Sequence, residues 1–278
     1  MIEKIYIPTV RRADNQITYN NLPDNLKKRV VMVVEPKDRH LYNYPCEYLE
    51  IPEKIVGTWT QLAETRLFIH KHAGEIKYCM ADDDIIIERR NSKYWTGTSN
   101  MEKARRNATP EEVSLAFDIM DKWLDEDNIG ITGFSNAGSP PTGTQYLDTV
   151  GCFSIIMIDG RMVSKIIDDI NITELRTGED ILFLFECLSR GINTRLSMEW
   201  LHNNKSMHDK KMKDTRVIWT GMYSVDENIP TMNEIYQNGF DVVEQIQKKF
   251  PMGIKIYEKN GIKKHIRYWK KVYKSFEE

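Results

Sequence analysis

The sequence predicts an α/β fold in which a mostly parallel sheet is covered by helices on both faces. Short apolar runs such as Val30–Val34 are typical of strands that are buried on both sides. These runs alternate along the chain with segments such as 57–72, whose apolar residues recur at near-helical spacing, and this alternation favours parallel strands joined by helices. The composition, with 41% hydrophobic and 29% charged residues among 278, excludes a disordered, collagenous or fibrous chain.

The same patterns predict the elements in chain order. We expect strands at 4–8, 29–34, 76–81, 129–132, 150–158 and 193–200, and helices at 57–72, 109–124, 178–188 and 232–249. The helix after Thr109 has the clearest start, because Thr109 can cap it, Pro110 suits its first turn and Glu112 completes a capping box. Within 254–269, the pair Asn260-Gly261 predicts a hairpin turn.

The chain has no feature typical of a membrane or secreted protein. No apolar run reaches the roughly 18 residues that a membrane span needs, and we identify no secretory signal. The four cysteines are far apart and form no CxxC pair, so the sequence indicates neither a disulfide framework nor a zinc site. We therefore expect a reducing, cytoplasmic setting.

Charge is distributed unevenly. Residues 248–278 contain ten Lys and Arg against three Glu, a net charge of +7, whereas the remainder carries −9. Aromatic residues are interspersed among these bases, and bases neutralise phosphates while aromatic rings stack on nucleobases. We therefore predict a nucleic-acid surface here, and the alternative is a hairpin with solvated lysines and a packed aromatic side. The candidate contacts are Lys263, Lys264, Arg267, Lys270 and Lys271.

Three adjacent carboxylates, Asp82, Asp83 and Asp84, follow the predicted strand at 76–81. Ligands of parallel sheets bind at the carboxyl ends of strands. A divalent cation would relieve the repulsion among the three charges, and Mg²⁺ and Mn²⁺ commonly bridge carboxylates to phosphate oxygens. Alternate residues of an extended segment point the same way, so Asp82 and Asp84 can face one ligand. The alternative is a solvated acidic turn.

The order of these signals resembles the GT-A glycosyltransferases, which use nucleotide-sugar donors. That Rossmann-like fold opens with a strand and a nucleotide-binding loop, here Ile7–Ala13, and its DxD motif, here 82–84, holds Mn²⁺ or Mg²⁺ on the donor diphosphate. A later acidic pair, here 179–180, can contain the catalytic base. The resemblance covers 3–210, and we expect a catalytic domain over residues 1–215 followed by a basic extension over residues 216–278 that packs on it and consists of a helix and a hairpin.

A narrower resemblance is to glycosyltransferases encoded by bacteriophages, some of which glycosylate hydroxymethylated bases in phage DNA. The opening, the strand that ends at Glu35-Pro36 and the segment Gly57–Arg66 are similar to that group, although this chain has Arg11 where the related opening usually has Gly. A phage-encoded enzyme would act in the host cytoplasm.

The resemblance implies roles for individual residues. Asp84 first and Asp82 second would hold the metal, with His208 completing the site and His202 as its competitor. Guanidinium groups fit phosphate oxygens, so the arginines among the donor candidates suit the diphosphate, and surface charge is their alternative role. The donor-binding candidates are Thr9, Arg12, Glu35, Gln61, Arg66, Asp82, Asp83 and Glu179.

Asp180 is the predicted general base, which takes the proton of the acceptor hydroxyl as an inverting enzyme requires. Glu179 would then bind donor or acceptor sugar. Both carboxylates also lie at a predicted helix N-terminus, where they stabilise the helix dipole by about 0.3–1 kcal/mol without any catalytic role. His70 and His72 are interpreted as surface residues, because residues two apart on a helix point in different directions.

These inferences predict a metal-dependent glycosyltransferase that moves a sugar from a nucleotide sugar, UDP-linked by family inference, to a hydroxymethylated base in DNA. A polysaccharide or glycolipid acceptor is the first alternative. A metal-dependent phosphodiesterase or nuclease using Asp82, Asp84 and Asp180 is the second, and a non-catalytic DNA-binding module is the third. The sequence does not specify the sugar, the base or the oligomeric state.

Overall fold

The computed structural model describes residues 1–10, 12–58, 60–91, 104–173, 175, 178–205, 242–259 and 262–277. Its strands are β1 (Lys4–Pro8), β2 (Val30–Val34), β3 (Glu47–Glu50), β4 (Lys77–Ala81), β5 (Ile85–Arg90), β6 (Arg105–Asn107), β7 (Ile129–Asn136), β8 (Tyr146–Asp148), β9 (Ile155–Asp159), β10 (Asn193–Asn204), β11 (Ile254–Lys259) and β12 (Ile262–Arg267). Its helices are α1 (Ile17–Asn21), α2 (Asp24–Lys27), α3 (Gln61–Ala73), α4 (Pro110–Trp123), α5 (Gly160–Val163), α6 (Glu179–Leu188), α7 (242–249) and α8 (Trp269–Glu277).

A ten-stranded mixed sheet forms the centre, in the order β3-β2-β1-β4-β9-β7-β10-β5-β6, with β8 also paired to β10. Strands β3, β2, β1, β4, β7 and β10 run in one direction, and β9 is antiparallel to both β4 and β7. The predicted mostly parallel α/β fold is therefore confirmed. The parallel strands bring their carboxyl ends to one edge, where ligand sites of such sheets form.

Each face of the sheet has its own buried core. On one face Tyr6 packs with residues of α3 and α6, such as Ala63 and Leu182. On the other face Ile5 and Ile7 pack with residues of α1 and α4. Successive side chains of a strand point to opposite faces, so the apolar run of β1 serves both cores.

The predicted element bounds agree with the structure where local signals are strong. The capping box is formed, since Thr109 Oγ1 accepts from the Glu112 backbone N–H at 3.3 Å and Glu112 Oε2 accepts from the Thr109 backbone N–H at 3.0 Å. The strand predicted at 150–158 is shorter. It begins at Ile155 because Ser154 adopts a left-handed conformation with φ 63° and directs its carbonyl to the Asp82 backbone N–H at 2.8 Å.

The C-terminal elements pack against α6. The predicted hairpin is present as the antiparallel pair β11–β12, and its turn residues Asn260-Gly261 lie outside the described residues. Helix α8, which the sequence analysis did not predict, places Trp269 edge-on to Phe185, with 4.6 Å between ring centroids. The 215/216 boundary also falls outside the described residues. Within the described ranges, no helix has the length and apolar character needed to cross a bilayer.

Candidate active site

The aspartate triplet forms the turn between β4 and β5, at the edge where the parallel strands end. Its middle member is held by the opening loop. Asp83 accepts hydrogen bonds from Thr9 Oγ1 at 2.7 Å and from Arg12 Nη1 at 2.5 Å, and Gln16 Nε2 donates to Thr9 Oγ1 at 2.7 Å. Asp83 is buried, and burial raises the pKa of its carboxyl although Arg12 opposes the shift. Thr9 and Arg12 therefore both bind Asp83 and fix the turn.

The outer two aspartates meet different neighbours. Asp84 lies near the end of β10, where Asn204 Nδ2 donates to Asp84 Oδ1 at 3.3 Å. Burial, together with the charges of Asp82 and Asp83, raises the pKa of Asp84 to about 7. Asp82 is less buried and lies 3.4 Å from Arg66 Nη2. Burial is the larger cause of the Asp84 shift, and the repulsion expected from the sequence adds to it.

Helices α3 and α6 are joined by two contacts, one turn apart on each helix. Arg66 Nη1 forms an ion pair with Glu179 Oε1 at 2.8 Å. One turn further along both helices, the His70 ring stacks on Phe183 with 4.4 Å between centroids. Residues four apart on a helix share a face, so the charged pair and the aromatic pair line the same gap. Burial raises the pKa of Glu179 to about 7, partly opposed by Arg66.

This gap opens into a pocket with a volume of about 430 Å³, part of which is open solvent. Four charged residues line it, Arg66, Asp82, Glu179 and Asp180, and most of its other lining residues are apolar. The remaining lining residues are His70, Met80, Cys152, Phe153, Ser154, Ile156, Ile172, Phe183 and Leu184. The pocket therefore brings Glu179 and Asp180 together with Asp82, the first aspartate of the triplet.

Asp180 lies in the first turn of α6, and the backbone conformation of the preceding Gly178 determines where this helix begins. Gly178 precedes the helix with φ 76°, a conformation that glycine adopts readily. A Cβ at this residue would also lie 2.9 Å from the Val242 side chain. Asp180 Oδ1 accepts from the Ile181 backbone N–H at 2.7 Å. Asp180 lines the pocket and is only half-buried, so it is accessible to a substrate.

A second polar cluster follows β2. Gln61 Nε2 donates to Glu35 Oε1 at 2.8 Å, and the Gly57 backbone N–H donates to Gln61 Oε1 at 2.5 Å. Lys37 forms an ion pair with Glu35 Oε2 at 2.7 Å. Glu35 is only 3% exposed, although it directly follows β2 and precedes Pro36. The two donor candidates Glu35 and Gln61 are thus in direct contact.

The histidine predictions have mixed outcomes. His208 lies outside the described residues. His202 is buried on β10, its Nδ1 lies 2.8 Å from Asn204 Oδ1, and burial lowers its pKa. The surface assignment of His70 was wrong, because His70 is 4% exposed and faces the pocket. His72 is exposed as expected.

The predicted nucleic-acid residues do not share one environment. Lys264, Lys270 and Lys271 are exposed, whereas Arg267 is half-buried. The side chain of Lys263 lies outside the described residues. The basic segment is therefore a group of exposed lysines with one arginine turned towards the protein.

Phe153, Ser154 and Asn204 are among the site residues that the sequence analysis missed. Phe153 and Ser154 fall in the segment that the sequence predicted as regular strand. Asn204 lies beyond the predicted end of β10, and the polar run His202-Asn203-Asn204 after Trp200-Leu201 was a usable signal for a strand terminus at the ligand edge.

The aspartates fit a divalent cation that is shared with a substrate. Among the described residues, no group of three His, Cys, Asp or Glu side chains is arranged to hold a metal. Asp82 and Asp84 nevertheless offer two carboxylates, and burial together with the neighbouring negative charges raises the pKa of Asp84, although Arg12 Nη1 lies 3.9 Å from its Oδ2. Mg²⁺ usually takes one or two carboxylates and completes its shell with water and substrate phosphates. The donor set therefore suits a metal that arrives with a diphosphate.

The fold and the pocket are those of an α/β enzyme with its polar groups at the carboxyl edge of a mostly parallel sheet. Residues 3–210 match the family model of the TET-Associated Glycosyltransferases. The chain belongs to this family and is a glycosyltransferase, which confirms the resemblance to glycosyltransferases drawn from the sequence.

No curated protein matches the chain. Among solved structures, the UTP-bound UGPase from Acinetobacter baumannii is similar at 8% sequence identity and a TM-score of 0.41, over 89% of this chain and 99% of that chain.

Proposed function

We propose that this glycosyltransferase transfers a sugar from a UDP-linked donor to a hydroxymethylated base in DNA, with inversion at the sugar carbon. The observation that carries the proposal is the convergence of Arg66, Asp82, Glu179 and Asp180 on one pocket in a chain of the TET-Associated Glycosyltransferase family. Family membership favours transfer over a nuclease or a binding module. The net charge of +7 over residues 248–278 favours an anionic acceptor over a neutral polysaccharide.

The donor side of the proposal uses the two polar clusters at the sheet edge. Glu35 and Gln61 bind the base or ribose of the nucleotide, and Arg66 binds the diphosphate, whose oxygens fit a guanidinium fork. Arg12, which is hydrogen-bonded to Asp83, binds the same diphosphate. A Mn²⁺ or Mg²⁺ ion on Asp82 and Asp84 would supply positive charge to the leaving diphosphate. His208 remains the candidate for the further ligand.

The acceptor side uses Asp180. It accepts the proton of the hydroxymethyl group while that oxygen bonds to the anomeric carbon of the sugar and the bond from this carbon to the departing UDP breaks, which is general-base catalysis. Glu179 is held by Arg66 beside it and contacts the sugar. A base within a duplex cannot enter a pocket of this kind without leaving the stack, so the target nucleotide is extruded. Exposed lysines of the basic segment bind the flanking phosphates.

The test is incubation of the protein with a panel of nucleotide sugars, Mn²⁺ and hydroxymethylated DNA, followed by mass spectrometry of the nucleosides. Unmodified DNA of the same sequence and a chelator-treated reaction are the controls. A hexose or pentose mass added only to the modified base supports the proposal. Transfer to a glycan or lipid acceptor, with none to DNA, would contradict the proposed DNA acceptor. It would leave the assignment as a glycosyltransferase unchanged.

A further inference from the structure

The β11–β12 hairpin presents two different faces. The register pairs Ile254 with Arg267 and Ile256 with His265, so these side chains share one face. Ile254 is buried and the other three are half-buried. The opposite face carries Lys255 and Lys264, both of which are exposed. The single arginine of the hairpin thus points towards the catalytic domain, unlike these two lysines.

Arg267 reaches the wall of the pocket. Its guanidinium carbon lies 5.7 Å from the centroid of Phe153, which lines the pocket. Trp269 packs on the same ring, with 6.0 Å between centroids. A Cβ added at Gly151 would lie 2.6 Å from the Phe153 ring and 2.7 Å from Trp269. The segment before β9 and the start of α8 are therefore closely packed, and this packing holds Arg267 at the pocket.

The electrostatic environment of Arg267 suits an anion. Within the described part of the chain, its guanidinium contacts the Phe153 ring and Nε2 of His265, the latter at 3.2 Å. Burial lowers its pKa, and the negative charge of Asp180 partly opposes this shift. A half-buried cation that is only partly compensated gains from an anionic ligand, and a guanidinium binds phosphate oxygens in a fork.

We propose that Arg267 binds the phosphate of the acceptor nucleotide at the rim of the pocket, so that the acceptor hydroxyl lies at Asp180. This inference rests on the proposed function, since it takes Asp180 as the general base and a nucleotide as the acceptor. It assigns a substrate contact to a residue beyond 3–210, the range that matches the family. It also gives Arg267 a different role from the exposed lysines. The lysines bind more distant phosphates of the DNA and do not select the nucleotide that reacts.

The experiment compares two small ligands that differ only in the phosphate: hydroxymethyldeoxycytidine monophosphate and its nucleoside. Calorimetric titrations in saturating UDP and Mn²⁺ keep both ligands out of the donor site. The wild type should bind the monophosphate at least about tenfold more tightly, as one charge-assisted contact permits. Arg267→Met keeps the apolar stem against Phe153. It should reduce the ratio of the affinity for the monophosphate to that for the nucleoside to near one. Arg267→Lys should keep part of it.

Lys255→Ala is the matched control, because it removes an exposed cation from the same hairpin. It should leave the ratio unchanged. Thermal unfolding of each variant shows whether the hairpin remains packed. A ratio that persists in Arg267→Met, or falls equally in Lys255→Ala, would overturn the inference. Sugar transfer to modified DNA without any preference for the monophosphate also overturns it and leaves the proposed function intact, whereas failure of UDP to bind contradicts the donor assignment alone.

Discussion

Arg66 forms ion pairs with two carboxylates that are far apart in the chain, Glu179 at 2.8 Å and Asp82 at 3.4 Å. One guanidinium thus links the turn after β4 to the start of α6. The predicted diphosphate ligand would compete with these carboxylates for the same cation. Arg66 therefore partly compensates the charges of two acidic residues that line the pocket.

The first prediction concerns this ion pair. Arg66→Gln leaves Glu179, whose side chain is 4% exposed, buried without its cation, and breaking a buried pair from one side costs about 3–5 kcal/mol. We expect that decrease in stability in urea unfolding at pH 8. At pH 5 the decrease should be smaller, because the pKa of Glu179 is already raised to about 7 and protonation removes its charge.

The double variant Arg66→Gln/Glu179→Gln is the control for this prediction. It removes both charges and should recover most of the stability, which a double-mutant cycle measures directly. Additive destabilisation in the double variant would show that the two residues do not interact.

The second prediction concerns the metal. Asp84→Asn should nearly abolish sugar transfer, since it removes a ligand charge, and wild-type transfer should stop in excess chelator and return with Mn²⁺. The fold should gain stability at pH 8. The raised pKa of Asp84 means that its ionisation disfavours the folded state as the pH rises from about 4 to above 7, and asparagine avoids that cost. Full activity of Asp84→Asn would refute the metal assignment.

The third prediction concerns the base. Asp180→Asn keeps the shape of the side chain and removes its ability to accept a proton. Turnover should fall by roughly 10²–10⁴-fold, as expected for loss of general-base catalysis. Binding of UDP, measured by calorimetry, should be unchanged. An equal decrease in UDP affinity would instead assign Asp180 to the donor site.

The fourth prediction concerns His70, which is buried between Tyr78 and Phe183. Burial lowers its pKa to about 3. A histidine that stays neutral in the folded state contributes stability above its unfolded pKa of about 6.5, and this stability is lost as the pH falls towards 3, by at most about 1.4 kcal/mol per pH unit. His70→Gln should lack this pH-dependent decrease.

The measurement is the difference between the two curves of unfolding free energy against pH. Subtraction is necessary because Glu179 and Asp84 have raised pKa values and contribute with the opposite sign. Parallel curves for wild type and His70→Gln between pH 6.5 and 4 would contradict a neutral buried histidine.

The fifth prediction concerns duplex DNA. Replacing Lys264, Lys270 and Lys271 by alanine removes three exposed cations without touching the pocket. Binding should weaken, and the slope of log K against log salt should become less steep by about 0.9 for each phosphate that the protein no longer neutralises. UDP binding is the internal control. An unchanged salt slope would place the DNA surface on another part of the molecule.

The fold was predictable where short-range patterns decide it. Buried runs predicted β1, β2 and β4, and a glycine followed by acids predicted α6, because such signals need no knowledge of distant residues. Strand β5 was missed, since Ile85–Ile87 directly follows the aspartate triplet and its pairing with β10 is set by residues more than a hundred positions away.

The site was predictable in part for the same reason. Asp82 and Asp180 were identified as residues at element ends, and the structure brings them to one pocket. The burial of His70 could not be deduced, because Arg66 and His70 are polar and helical spacing alone does not say which face of α3 is covered. Likewise, only tertiary structure shows that Arg267 faces inwards.

The close packing at Gly151 has an evolutionary consequence. Any side chain there would collide with Phe153 and Trp269, so substitutions at these three positions are not independent. Relatives that keep both aromatic rings should retain glycine at the position of Gly151. Lineages in which either ring has been replaced should be the first to vary there, and an alignment would reveal the dependence as covariation.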